Sequence, residues 1–192
     1  MRASVFLFSL CCSRLVVAEE RPSEAEIGSV QVYATAGEAR QQIFPEGERF
    51  VRTARVVPEE VKATLTHQLG RRVDVDSVAV DLVYGVDGGF LGYALVGDEV
   101  GKYRPITFLV GLDPTFQVEG VVVMVYRESR GGQVRRSRFL SQYRGKSSVD
   151  PVRINRDIIN ISGATMSVRA LNVGVRQAVI LVEALFGRQP DL

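Results

Sequence analysis

The stretch Ile159–Leu171 reads INISGATMSVRAL, and it decides how the last third of the chain is built. Small and hydroxylated residues, Ser162-Gly163-Ala164-Thr165, stand where a long apolar run begins. From Met166 to Gly187 apolar residues cover most of a helical circumference, and Arg169, Asn172, Arg176 and Glu183 form the one polar stripe. The pattern predicts a long helix starting near Ser162 or Thr165 and buried against a sheet. Its charges argue against a membrane span. Ser162 is by itself a competent N-cap.

Upstream of that helix the chain is strand-like. SVAVDLVY (77–84) alternates and runs into GVDGG, a hairpin signal. FLGYALV, RPITFLVGL and QVEGVVVMVY follow with short connections, DPTF being a turn. Four such strands predict an antiparallel meander. There is no βαβ alternation and no GxGxxG, which argues against a Rossmann domain. Two helices precede the strands. AGEARQQIF is one. PEEVKATLTHQLG is the other, with Pro58 in the first turn, Glu59 and Glu60 at the positive dipole end and Gly70 at the stop. Val61, Leu65 and Leu69 form its core stripe, and His67 falls off it. The expected fold is therefore α+β: a twisted antiparallel sheet packed with helices. Between Tyr126 and Pro151 a Gly-containing loop leads into a short basic helix with Phe139, Leu140 and Tyr143 on one side.

The first residues, MRASVFLFSLCCSRLVVAEE, carry Arg2, an apolar run and the small-residue site Val16-Val17-Ala18. They read as an export signal over 1–18, with a mature chain beginning near Glu19 and a periplasmic or otherwise extracytoplasmic location. Residues 19–57 read as an N-terminal lead-in and 58–187 as the functional domain. Both cysteines, Cys11 and Cys12, fall in the signal, and His67 is the only histidine. Thiolate metal sites, iron–sulfur ligation, disulfides and a two-histidine heme or zinc site are excluded from such a mature chain. Redox chemistry would then require an organic cofactor.

Charge is unevenly placed. Loss of Arg2 and Arg14 leaves 22 residues of each sign. Residues 127–156 nevertheless carry nine Lys/Arg against two Asp/Glu. That stretch reads either as a solvated face or as a docking surface for a phosphate, an anionic lipid or an acidic partner. It has too few interleaved aromatics for nucleic acid.

A helix N-terminus offers unpaired N–H groups and a positive dipole end, and phosphate binds there. Gly163 and Ala164 let a bulky ligand approach. SGATMSVRAL, RESRGG, RFLSQYRGK and GKYRPITFLVG together resemble the FMN-binding domain family, over about Pro58 to Leu185. This family includes flavin subunits of the Rnf complex and of the sodium-pumping NADH:quinone oxidoreductase, and the head domain of NosR-type regulators. The resemblance implies FMN, attached through a phosphoester to Thr165 by a flavin transferase. It implies that Ser162, Gly163, Ala164 and Ser167 line the phosphate end, and that Glu128, Ser129, Gly131 and Gly132 form a loop near the flavin. It further implies electron transfer with membrane-bound redox proteins and allows peripheral contact with the membrane. One position departs from the family: Ile159 stands where an Asp is usual, with Asp157 and Asn160 nearby. Two other readings stay open. One is a flavin-dependent reductase of a small substrate, with Glu128 or Tyr103 as general acid. The other is a flavin-free binding or sensory module.

Overall fold

The computed structural model describes residues 29–187. The expected export signal, with Cys11 and Cys12, lies outside the described residues.

The alternating middle of the chain forms the expected meander, and the sheet has two further strands. Its elements are β1 (Gln31–Val32), β2 (Gly47–Val56), β3 (Ser77–Gly85), β4 (Phe90–Val100), β5 (Pro105–Leu112) and β6 (Val118–Tyr126). The order across the sheet is β1-β6-β5-β4-β3-β2, antiparallel throughout. The fold is α+β, as the sequence pattern predicts. The lead-in thus contributes both edge strands. β2 pairs with β3 from Gly47↔Gly85 to Val56↔Ser77, yet most of it is exposed. Arg49, Arg52 and Arg55 punctuate it, as suits an edge strand that must not recruit another chain.

Helices cover both faces. On one, α1 (Ala36–Ile43) starts at a Thr35/Glu38 capping box. It seats Ile43 and Phe44 among Val83, Ala94, Leu109 and Met124. Gly111 makes this possible, because a Cβ there would meet Ile43 Cγ2 at 2.4 Å. On the other face lies the last helix, α4 (Thr165–Phe186). Val168, Leu171, Val175, Val179 and Val182 pack on Phe108, Val110 and Leu95. Gly174 brings helix and sheet into contact; a Cβ there would stand 2.2 Å from Phe108 Cζ. α2 (Glu59–Leu69) runs from Pro58 to a left-handed Gly70 and packs Val61 and Leu65 on Ile180 and Leu181 of α4. His67 lies off the buried stripe, as expected.

The polar stripe of α4 does not all face water. Asn172 is buried and accepts a 2.7 Å hydrogen bond from the Tyr143 hydroxyl, while Arg176 donates to the Gln68 carbonyl at 2.7 Å. The basic segment is a 3-10 turn (Gly132–Arg135), a short α3 (Ser137–Leu140) and a second 3-10 turn (Ser141–Tyr143). Phe139, Leu140 and Tyr143 are its buried side. No described helix is long and apolar enough to cross a membrane.

Candidate functional site

The helix α4 begins at Thr165, later than an N-cap at Ser162 would place it. Its N-cap is Ala164, and no side chain caps it. Ser162 instead lies in an exposed turn closed by the bond from Ala164 N to Ile161 O (3.0 Å), with Gly163 at φ 78°. Gly163 has nothing within 4 Å of where a Cβ would stand, so the turn is open to a ligand. A positive dipole end without a side-chain cap, beside an open glycine turn, suits an anion.

The Thr165 hydroxyl accepts a 3.0 Å hydrogen bond from Asn160 Nδ2. The other amide atom of that side chain, Asn160 Oδ1, is buried without a partner. A polar atom in that state costs about 1–3 kcal/mol, so this constraint on Thr165 is held against a penalty.

The second sequence motif, residues 128–132, meets this turn through a hydrogen-bonded lock. Tyr126 Oη donates to the Arg130 carbonyl and lies 2.8 Å from Ser167 Oγ. Burial pushes the Tyr126 phenol up, against the Ser167 hydrogen bond and with the Glu128 charge adding to the rise, so it stays a donor. Gly131 sits in the left-handed region at φ 91°, and a Cβ there would stand 2.6 Å from both Ser167 Oγ and Tyr126 Oη. Only glycine lets the loop close on the helix.

Glu128 is buried, and its Oε1 accepts from the backbone N–H groups of Tyr103 (2.8 Å) and Arg104 (3.2 Å). It anchors the loop to the β4–β5 turn. Ser167 is 2% exposed and committed to Tyr126; Ala164 is buried beneath the turn. Both are expected at the phosphate end from the family resemblance; both are buried.

What faces solvent between the two motifs is a cleft of about 460 Å³ lined by Ser129, Gly131, Gly132, Ser162 and Gly163. Arg130, Arg135 and Arg136 also line it, and no carboxylate pairs with any of them among the described residues. The remaining wall includes Tyr33, from the segment just after β1, with Arg135 Cζ 4.6 Å from its ring centroid. Sequence reasoning misses Tyr33 because it lies far from both motifs and carries no local signal.

Asp157 does not stand in for the missing Asp. Its carboxylate accepts from Arg153 N (2.8 Å) and Val152 N (3.1 Å) and pairs with Lys146 at 3.1 Å. Ile159 itself is 77% exposed, and its N–H donates to Gln142 Oε1 at 2.7 Å.

The sequence around this site has a match among known proteins. Residues 101–180 match the FMN-binding domain family. FMN is the cofactor to which the match points. Both motifs, Glu128–Gly132 and Ser162–Thr165, fall within the matched segment; Tyr33 falls outside it. Two solved structures are similar over most of the chain. NqrC of Shewanella oneidensis is 18% identical, with 83% of each chain covered and a TM-score of 0.48. A component of the Na(+)-translocating NADH-quinone reductase of Parabacteroides distasonis is 15% identical, with 87% of this chain and 92% of that chain covered and a TM-score of 0.52. The latter likeness establishes a common fold. No curated protein matches the chain.

Proposed function

We propose that this protein is an exported flavoprotein that carries FMN through a phosphoester to Thr165 and passes electrons to and from membrane redox partners. The observation that carries the reading is the cleft between the 128–132 loop and Ser162–Gly163, some thirty residues apart in sequence, walled by three guanidiniums that pair with no carboxylate among the described residues. The residues fit the group. The open turn at Gly163 and the uncapped start of α4 suit a phosphodiester, which keeps one negative charge. Asn160 fixes the Thr165 hydroxyl from which the ester would form. Glu128 and Tyr126 hold the loop that closes the cleft. FMN supplies the redox chemistry when bound, and the chain supplies position, charge and shielding.

Glu128 does not line the cleft, and its carboxylate is engaged with two backbone donors that anchor the loop. That favours electron transfer over a stand-alone reductase. Maturation would need a flavin transferase. The partners would be membrane-bound redox proteins, a reading supported by the similar Parabacteroides distasonis protein, itself one subunit of a Na(+)-translocating reductase. The sequence pattern puts the functional domain at 58–187; the sheet adds β1, α1 and β2 from the lead-in to it, and the proposal keeps the export signal at 1–18.

The test is the intact mass of the protein co-produced with a flavin transferase and then denatured. The expected result is an added FMN less one water, on the peptide holding Thr165, and its complete loss in Thr165→Ala, which still unfolds cooperatively at a midpoint lowered by the lost Asn160 hydrogen bond. Unmodified wild-type protein, or covalent flavin retained in Thr165→Ala, would overturn the assignment.

A further inference from the structure

We propose that Tyr33 is the contact surface for the isoalloxazine ring, with Arg135 holding it in place; the inference rests on the FMN reading above. A cofactor tied at Thr165 would have its phosphate at the 162–165 turn, and the cleft that reaches this turn at Ser162 and Gly163, though not at Thr165 itself, is the space this reading gives its ring. Tyr33 is the only aromatic side chain lining that cleft among the described residues. Flat π systems gain from stacking or edge contact with such a ring.

Tyr33 is also fixed in place. Its N–H donates to the Met124 carbonyl at 2.8 Å, its hydroxyl donates to Gln31 Oε1, and the Arg135 guanidinium lies over its ring. The hydroxyl reaches the 128–132 loop itself: a Cβ on Gly132 would stand 3.4 Å from Tyr33 Oη. Tyr33 and Arg135 also line a second, adjoining cleft of about 410 Å³ along β6. The stacked pair is the partition between the two clefts, so it sets where a ring entering from Thr165 must stop. Arg135 lies within residues 101–180 and Tyr33 outside them, so the lead-in segment contributes the aromatic half of this wall.

The test reads flavin fluorescence in FMN-loaded protein. A tyrosine or tryptophan in contact with a flavin quenches its emission by lending an electron to the excited ring and taking it back, whereas phenylalanine and leucine do not. Tyr33→Phe and Tyr33→Leu should each raise emission per bound flavin several-fold, and Tyr33→Trp should remain quenched. Arg135→Ala, which frees the ring, should raise emission partially. The visible flavin absorbance of each variant reports loading separately. Flavin present with unchanged emission in Tyr33→Phe and Tyr33→Leu overturns this inference alone; no flavin in the wild type overturns the FMN reading with it.

Discussion

Ile159 stands where the family resemblance leads one to expect an Asp, and its setting makes the difference testable. The side chain is 77% exposed, and only the backbone is held, by the Gln142 amide. Replacing it should therefore leave stability within about 0.5 kcal/mol. Ile159→Asp restores the usual acid without disturbing Asp157, which is tied into its own loop. The expected outcome is faster addition of FMN to Thr165, followed by intact mass over a time course with a flavin transferase. An unchanged rate would place recognition by the transferase elsewhere on the chain. Asp157 makes the opposite kind of prediction. Burial opposes its ionisation, but the Arg153 N–H, the Lys146 ammonium and the Val152 N–H outweigh burial and hold its carboxyl below the ordinary value of 3.8. Its folded value is thus the lower one, so its contribution is present above the unfolded value and is lost as pH falls through the folded one. Asp157→Asn should cost about 1–2 kcal/mol at neutral pH. The two proteins should converge in denaturant midpoint only as pH falls below 3.8 and through the lowered folded value, where the wild-type carboxylate is itself protonated.

The elements that matter most for the site are the 128–132 loop and the first turn of α4, joined by Tyr126 and Ser167. Gly131→Ala would force a Cβ into both hydroxyls at 2.6 Å and hold a non-glycine residue at φ 91°. It should cost about 2–3 kcal/mol, from left-handed strain together with a lost hydrogen bond. Tyr126→Phe keeps the shape but strands Ser167 Oγ and the Arg130 carbonyl, and should cost about 1–2 kcal/mol. Thermal midpoints read both, and a drop in FMN retained after loading of the Gly131 variant would show that the lock serves the cofactor. This contact explains what the sequence disclosed and what it did not. Both motifs are legible, because small residues at a helix start and a Gly-containing loop are local signals. The place of Ser167 is not, because a serine at the third position of a helix looks the same whether it faces a ligand or a buried tyrosine forty-one residues away. Similarly, β3 to β6 declare themselves by alternation. β2 does not, because an edge strand exposed on both faces need not alternate. β1 is two residues long and carries no periodicity at all.

At the scale of the whole molecule, the question is whether residues 29–57 are a lead-in or part of the working domain. They supply both edges of the sheet, the α1 cover and Tyr33. The sheet is shaped for them: glycines at 111 and 120 leave room that Ile43 and Phe44 fill. Emptying one such site by truncation to alanine costs about 2–5 kcal/mol. A domain of ordinary stability has only about 5–15 kcal/mol in total. A protein beginning at Pro58 would lose both of these side chains together. It would also bare β3 and the end of β6 as unpaired edges, which favours association with other chains. The expected outcome is that this shortened protein is aggregation-prone or lacks a cooperative thermal transition, while the chain from residue 29 unfolds cooperatively. If the shortened protein instead melts cooperatively and still takes up FMN at Thr165, residues 29–57 are dispensable to the fold, and the cofactor site is complete without its Tyr33 wall.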